Sequence, residues 1–145
     1  MNRDELIGAW TLVSFESRDD TGKVTYPAGQ DATGYLLYTA DGHMSATITP
    51  GNRASFSGGD LYRGTRDEWV QAARGVVAYC GRYELLDESV LHHVEVSLFP
   101  NWIGGTQERF IQHDDDRITL STAPILVNGA MRTSALVWER AEQTV

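Results

Sequence analysis

Apolar and polar residues alternate in short runs along most of this chain, and turn-forming residues separate the runs. Gly8 to Ser17 alternates as a strand and stops at the turn cluster Arg18-Asp19-Asp20-Thr21-Gly22-Lys23. Thr33 to Ala40 and His43 to Thr49 flank Asp41-Gly42, a dipeptide suited to the positive φ angles of a tight hairpin. Pro50 to Gly59, rich in Gly, Ser and Asn, reads as an exposed loop. Val76 to Leu85 and Val90 to Phe99 are two more strands, joined at Asp87-Glu88 and ended by Pro100. Gln107 to His113 and Arg117 to Thr122 meet at Asp114-Asp115-Asp116, a triplet without the spaced ligand series of a calcium loop. Asn128-Gly129 then turns the chain into Met131 to Glu139. About eight strands with short links predict an all-β protein, an antiparallel up-and-down barrel forming one domain over residues 1–145.

The period changes once, between the third and fourth strands. Thr65-Arg66-Asp67-Glu68 fits a capping box, in which the Thr oxygen accepts from the amide three residues on and Glu68 reaches back. Trp69, Val70, Ala72 and Ala73 give the helix, about 65–74, an apolar side, and Gly75 stops it. Two placements are open: a lid or plug across one barrel mouth, or a helix packed on the outer wall.

The two chain ends carry a further signal. Gly8-Ala9-Trp10 opens the first strand and Arg140 closes the last. In a closed barrel these strands meet, and the guanidinium can lie over the indole face, a contact worth about 0.5–2 kcal/mol. A closed barrel with a lumen is suited to holding a small molecule.

Composition narrows the function classes. The formal net charge is −8 and no basic cluster occurs, which argues against nucleic acid as a partner. The start lacks the apolar core of a signal peptide and no run is long enough to span a bilayer, so no membrane partner and a cytoplasmic location are expected; oligomerisation is left open. Cys80 is the only cysteine, which excludes an intramolecular disulfide. There is no phosphate-binding glycine loop and no nucleophile elbow, and the four histidines lack metal-ligand spacing. No metal and no cofactor are therefore expected.

The densest candidate chemistry is the run Leu91-His92-His93-Val94-Glu95-Val96-Ser97-Leu98-Phe99-Pro100-Asn101-Trp102. Period two puts His92, Val94, Val96 and Leu98 on one face and His93, Glu95, Ser97 and Phe99 on the other. If the second face is inside, Glu95 orients His93 as a general base, with Arg109 of the next strand stabilising a carboxylate or enolate. If the first face is inside, His92 is a lone polar group that orients a ligand. Tyr35, Tyr38, Tyr79, Tyr83, Arg82, Trp69 and Trp102 are candidates for the lumen wall or mouth.

Four segments in this order resemble the lipocalin-like domain proteins of bacteria and fungi: Leu6 to Phe15, Gly34 to Ser45, His92 to Trp102, and Leu136-Val137-Trp138-Glu139-Arg140. The resemblance implies a lipocalin-like barrel that takes up a small hydrophobic molecule, aromatic or polyketide-like. As the alternative it admits a cofactor-free isomerase, cyclase or dehydratase on the same lumen, and it transfers no catalytic residue. An interaction module using the barrel's outside is a third reading; it predicts an exposed apolar patch.

Overall fold

The computed structural model describes residues 1–145. Ten strands are present: β1 (Gly8–Arg18), β2 (Val24–Thr25), β3 (Thr33–Tyr38), β4 (His43–Thr49), β5 (Val77–Leu85), β6 (Ser89–Ser97), β7 (Thr106–Asp114), β8 (Arg117–Ser121), β9 (Ile125–Val127) and β10 (Ala130–Arg140). Eight of them, β1, β3 to β8 and β10, pair antiparallel in sequence with their neighbours, and β1 pairs with β10 to close the barrel. The short β2 and β9 are additions at the rim, on β1 and β10. The eight-stranded antiparallel up-and-down barrel expected from the alternation is therefore the observed fold.

Turn chemistry follows the sequence. Gly42, at φ 96°, and Asn128-Gly129, at φ 49° and 80°, take up the left-handed conformations for which these residue types are suited. The helix α2 (Arg66–Ala73) starts at Thr65 with both hydrogen bonds of the capping box in place. A short α1 (Arg3–Leu6), capped by Asn2 and Glu5, and a 3₁₀ turn at Pro100–Trp102 complete the elements.

One end of the barrel is packed solid. Leu6, Trp10, Tyr38, Met44, Tyr83, Val90 and Ile118 are buried there. Trp10 lies opposite Arg140 in the β1–β10 register, and the Arg140 guanidinium carbon stands 3.9 Å from the indole centroid. The same guanidinium donates to the carbonyls of Ile7 and Glu5, and the Trp10 indole N–H donates to Leu6 O at 3.0 Å. Arg140 thus ties the last strand to the carbonyls that α1 leaves without partners.

The strands are not continuous in phase. Cys80 pairs with Val96 but Gly81 with Val94, so Glu95 is an extra residue in β6, a β-bulge. Gly81 makes it feasible: a Cβ there would overlap the His93 carbonyl oxygen. Before the bulge His92 and Val94 face inward. Beyond it the faces exchange, and Val96 is turned out to solvent at 63% exposure. A similar shift in β1 leaves Val13 outside and brings Phe15 and Ser17 in.

Candidate functional site

The other end of the barrel encloses a cavity of about 290 Å³. Its wall is mainly apolar: Phe15, Leu36, Ile48, Val77, Leu120, Leu136 and Trp138 line it from six strands. Pro27, residues 74–76, Trp102 and residues 125–128 frame it from the segments outside the barrel strands and from β9. Trp102 packs edge-on to Tyr79, ring centroids 5.5 Å apart, so the turn after β6 carries one aromatic wall.

The cavity lining is polar in two places: Thr122 and Ser134, hydrogen-bonded to each other and to Ser17, and a corner built from β5, β6 and β7. His92 is 1% exposed and is bonded at both ring nitrogens: Tyr38 Oη is 2.6 Å from Nε2 and Tyr79 Oη is 2.7 Å from Nδ1. Tyr79 and His92 line the cavity; Tyr38 approaches from the packed end. Burial, then the nearby charges of Arg109 and His93, lower the His92 pKa to about 3, so the imidazole is neutral. A neutral imidazole donates one hydrogen bond and accepts one. The Tyr38 hydroxyl has no other partner, and a buried O–H left without an acceptor costs roughly 1–3 kcal/mol. Tyr38 therefore donates to Nε2, and Nδ1–H donates to Tyr79. The Tyr79 proton is then free for the cavity. Burial raises the Tyr79 pKa, against the opposing pull of Arg109, and raises that of Tyr38 further, so both phenols stay protonated.

Arg109 faces the same corner. It is 8% exposed, lines the cavity, and donates to Glu108 O at 3.0 Å and to Gln107 Oε1 at 3.3 Å.

The structure separates the remaining expected residues. His93 and Glu95 are on the outer wall, not in the lumen. His93 contacts Thr106 Oγ1 at 3.0 Å and Glu84 at 3.5 Å, whereas Glu95 pairs with Arg82 at 3.4 Å. They are outside because the Val90, His92 and Val94 face of β6 is the one turned inward, and on the outer wall each has another partner. Ser97 faces back toward the interior beyond the bulge, half-buried, and its hydroxyl accepts from Phe99 N. Tyr35 points outward at 57% exposure. Tyr83 is buried in the packed end and donates to Thr39 O, away from the cavity. Trp69 is also outside: it stacks edge-on against Phe56 of the preceding loop, ring centroids 5.0 Å apart. No residue of α2 is buried or lines the cavity; only the chain leaving it, Arg74 to Val77, reaches the mouth. The helix is not a plug: it stands clear of the cavity lining, with Trp69 edge-on to Phe56 of its own preceding loop and Arg53 bonded to Ala72 O.

Sequence reasoning missed Trp138 and Leu136 as lumen residues. Their period-two spacing with Ser134 on the last strand, which puts Ser134, Leu136 and Trp138 on one face, was the available signal.

Comparison with known proteins agrees with this architecture. A family model described as a lipocalin-like domain matches residues 7–141. The chain is 35% identical over 106 residues to the 4'-hydroxy-3'-methoxypropiophenone carrier protein ppsC of Aspergillus oryzae (strain ATCC 42149 / RIB 40), covering 67% of this chain and 96% of that protein. A solved structure described as a lipocalin-like protein from Bacteroides uniformis ATCC 8492 aligns over 94% of this chain and 99% of its own, with 12% identity and a TM-score of 0.49. With the model match spanning nearly the whole barrel, this chain belongs to the lipocalin-like domain family.

Proposed function

We propose that this barrel binds and carries one small, largely apolar aromatic molecule in its lumen. The observation that carries the reading is the cavity of about 290 Å³, open at its mouth, mainly apolar on its walls and carrying Tyr79, His92 and Arg109 at one corner. Such a cavity is at the small end of ligand pockets, fitting one or two rings rather than a long chain. The apolar walls supply affinity by removing ring surface from water, about 25 cal/mol per Å². Tyr79 and Arg109 orient whichever polar group the ligand carries. The carrier named among the relatives, a protein described by an aryl ketone, supports an aromatic ligand bearing oxygen.

Catalysis on the same lumen has less support. The expected base, His93, is on the outside with Glu95, and the histidine inside is neutral, with a pKa near 3 and both nitrogens engaged. A general base works best with a pKa near the operating pH. The test is a thermal-shift screen of aryl ketones, naphthols and fatty acids, with mass analysis of each stabilising compound after incubation. Stabilisation with the compound recovered unchanged is the expected result. A chemically altered compound, with turnover lost in Tyr79→Phe, would replace carriage with proton-transfer catalysis.

A further inference from the structure

The cavity's charges are all of one sign. The chain has 20 acidic residues against 12 basic ones, yet no Asp or Glu is among the cavity-lining residues, whereas Arg74 and Arg109 are. Arg74 is exposed at the mouth and keeps its hydration. Arg109 is different: it is buried, and none of the protein's ion pairs includes it. No carboxylate is buried anywhere in the barrel. The partners of Arg109, Glu108 O and Gln107 Oε1, satisfy hydrogens but bring no negative charge, and they leave other guanidinium N–H groups for a further acceptor.

A second donor at the cavity points to the same chemistry. The Tyr79 O–H is left for the cavity when Nδ1–H of His92 donates to it. A guanidinium and a phenol are both donors. Buried charges are ordinarily paired, because removing an ion from water costs several kcal/mol.

We infer that the preferred ligand is an organic oxyanion, an aromatic ring system bearing a carboxylate or an ionised enol or phenol, whose negative oxygen is the counter-ion of Arg109 and accepts from Tyr79. This rests on the lumen being the binding site and adds the ligand's charge to that reading. The bound anion completes an ion pair that the chain itself leaves half-made. Charge-assisted bonds in a water-poor corner are stronger than neutral ones, so the anionic form is selected over a neutral molecule of the same shape.

Three probes test this by calorimetric titration of the full chain: naphthalene-2-carboxylate, its primary amide, and the neutral methyl ketone on the same ring. The carboxylate is expected to bind about tenfold or more tightly than the amide, the ratio that one charge-assisted bond supplies. Arg109→Gln is expected to bring that ratio to within about threefold of unity by weakening the carboxylate alone, and Tyr79→Phe to narrow it part of the way. Should Arg109→Gln not fold, the wild-type ratio and Tyr79→Phe decide the matter. Amide and ketone binding as well as the carboxylate, or a preference that survives Arg109→Gln, overturns the oxyanion while leaving the lumen reading intact. If none of the three binds, both fall.

Discussion

The two ends of this barrel are made by the same strands and obey opposite rules. At the packed end each polar group already has its partner inside the chain. Trp10 donates to Leu6, Arg140 to Ile7 and Glu5, and Tyr83 to Thr39. At the cavity end Ser134 and Thr122 are satisfied in the same way, but Arg109 has hydrogen-bond acceptors and no counter-charge. His92 is the boundary, held by a tyrosine from each side. The difference separates what stabilises the fold from what the fold is for. Groups satisfied internally add stability, and the unpaired charge beside the cavity is the feature on which the proposed ligand's charge rests.

The sharpest break in that comparison is Trp10→Ala. Trp10 is 1% exposed, and truncating a fully buried aromatic costs about 3–5 kcal/mol. Here it also removes the Leu6 hydrogen bond and the surface under Arg140. Urea unfolding is expected to show a loss in that range. A loss under about 1 kcal/mol would mean the packed end is not the stabilising half.

His92 sharpens the boundary through pH. Its folded pKa is lowered to about 3 from 6.5, so below pH 6.5 the unfolded chain takes up a proton that the folded barrel refuses. Stability is full above pH 6.5 and falls as the pH drops, by about 1.4 kcal/mol per unit once well below that value. Asp19, Asp41 and Glu68 have lowered pKa values, and they add the same sign of dependence only near and below their unfolded values of 3.8 and 4.5. The window from pH 6.5 to 5 therefore reports histidine. His92→Gln, which can still accept and donate between the tyrosines, is expected to flatten most of the slope there. An unchanged slope would place the titration elsewhere.

The cavity end responds in the reverse sense to its own truncation. Arg109→Met replaces an unpaired buried charge by an apolar chain of similar length, and the ligand-free protein is expected to gain roughly 1–3 kcal/mol. A structural role for Arg109, holding β7 through Glu108 and Gln107, would instead show as a loss in the same unfolding experiment.

The packed end was far more legible in the sequence than the cavity. Gly8, Trp10 and Arg140 imply their own neighbours, because strand alternation and barrel closure put the first and last strands side by side. The capping box at Thr65 and Glu68 is similarly local, decided by two side chains three residues apart. The cavity depends on phase, and phase depends on bulges. One extra residue at Glu95 moves Val96 to the outside, an outcome that period two read straight through 91–99 cannot give. Gly81 was the visible clue, a glycine within a β run, but its partner strand and register are known only once the barrel is closed. Likewise Trp69 reads as apolar surface aimed at the barrel, whereas it stays exposed and meets only Phe56 of its own loop.

The smallest expected effect lies at the best-read contact. Arg140 is an exposed residue, so its stacking on Trp10 is partly screened, and a cation over an indole contributes about 0.5–2 kcal/mol. Arg140→Gln removes the charge but keeps a donor able to reach the Ile7 or Glu5 carbonyl. Arg140→Lys keeps the charge but loses the planar fork that spans both carbonyls while covering the ring. If stacking dominates, Lys retains more stability than Gln and the gap narrows in concentrated salt. If the two carbonyl bonds dominate, both variants lose about the same amount and salt leaves them unchanged. The second outcome would recast Arg140 as a cap on α1, binding the last strand to the first by geometry rather than by charge.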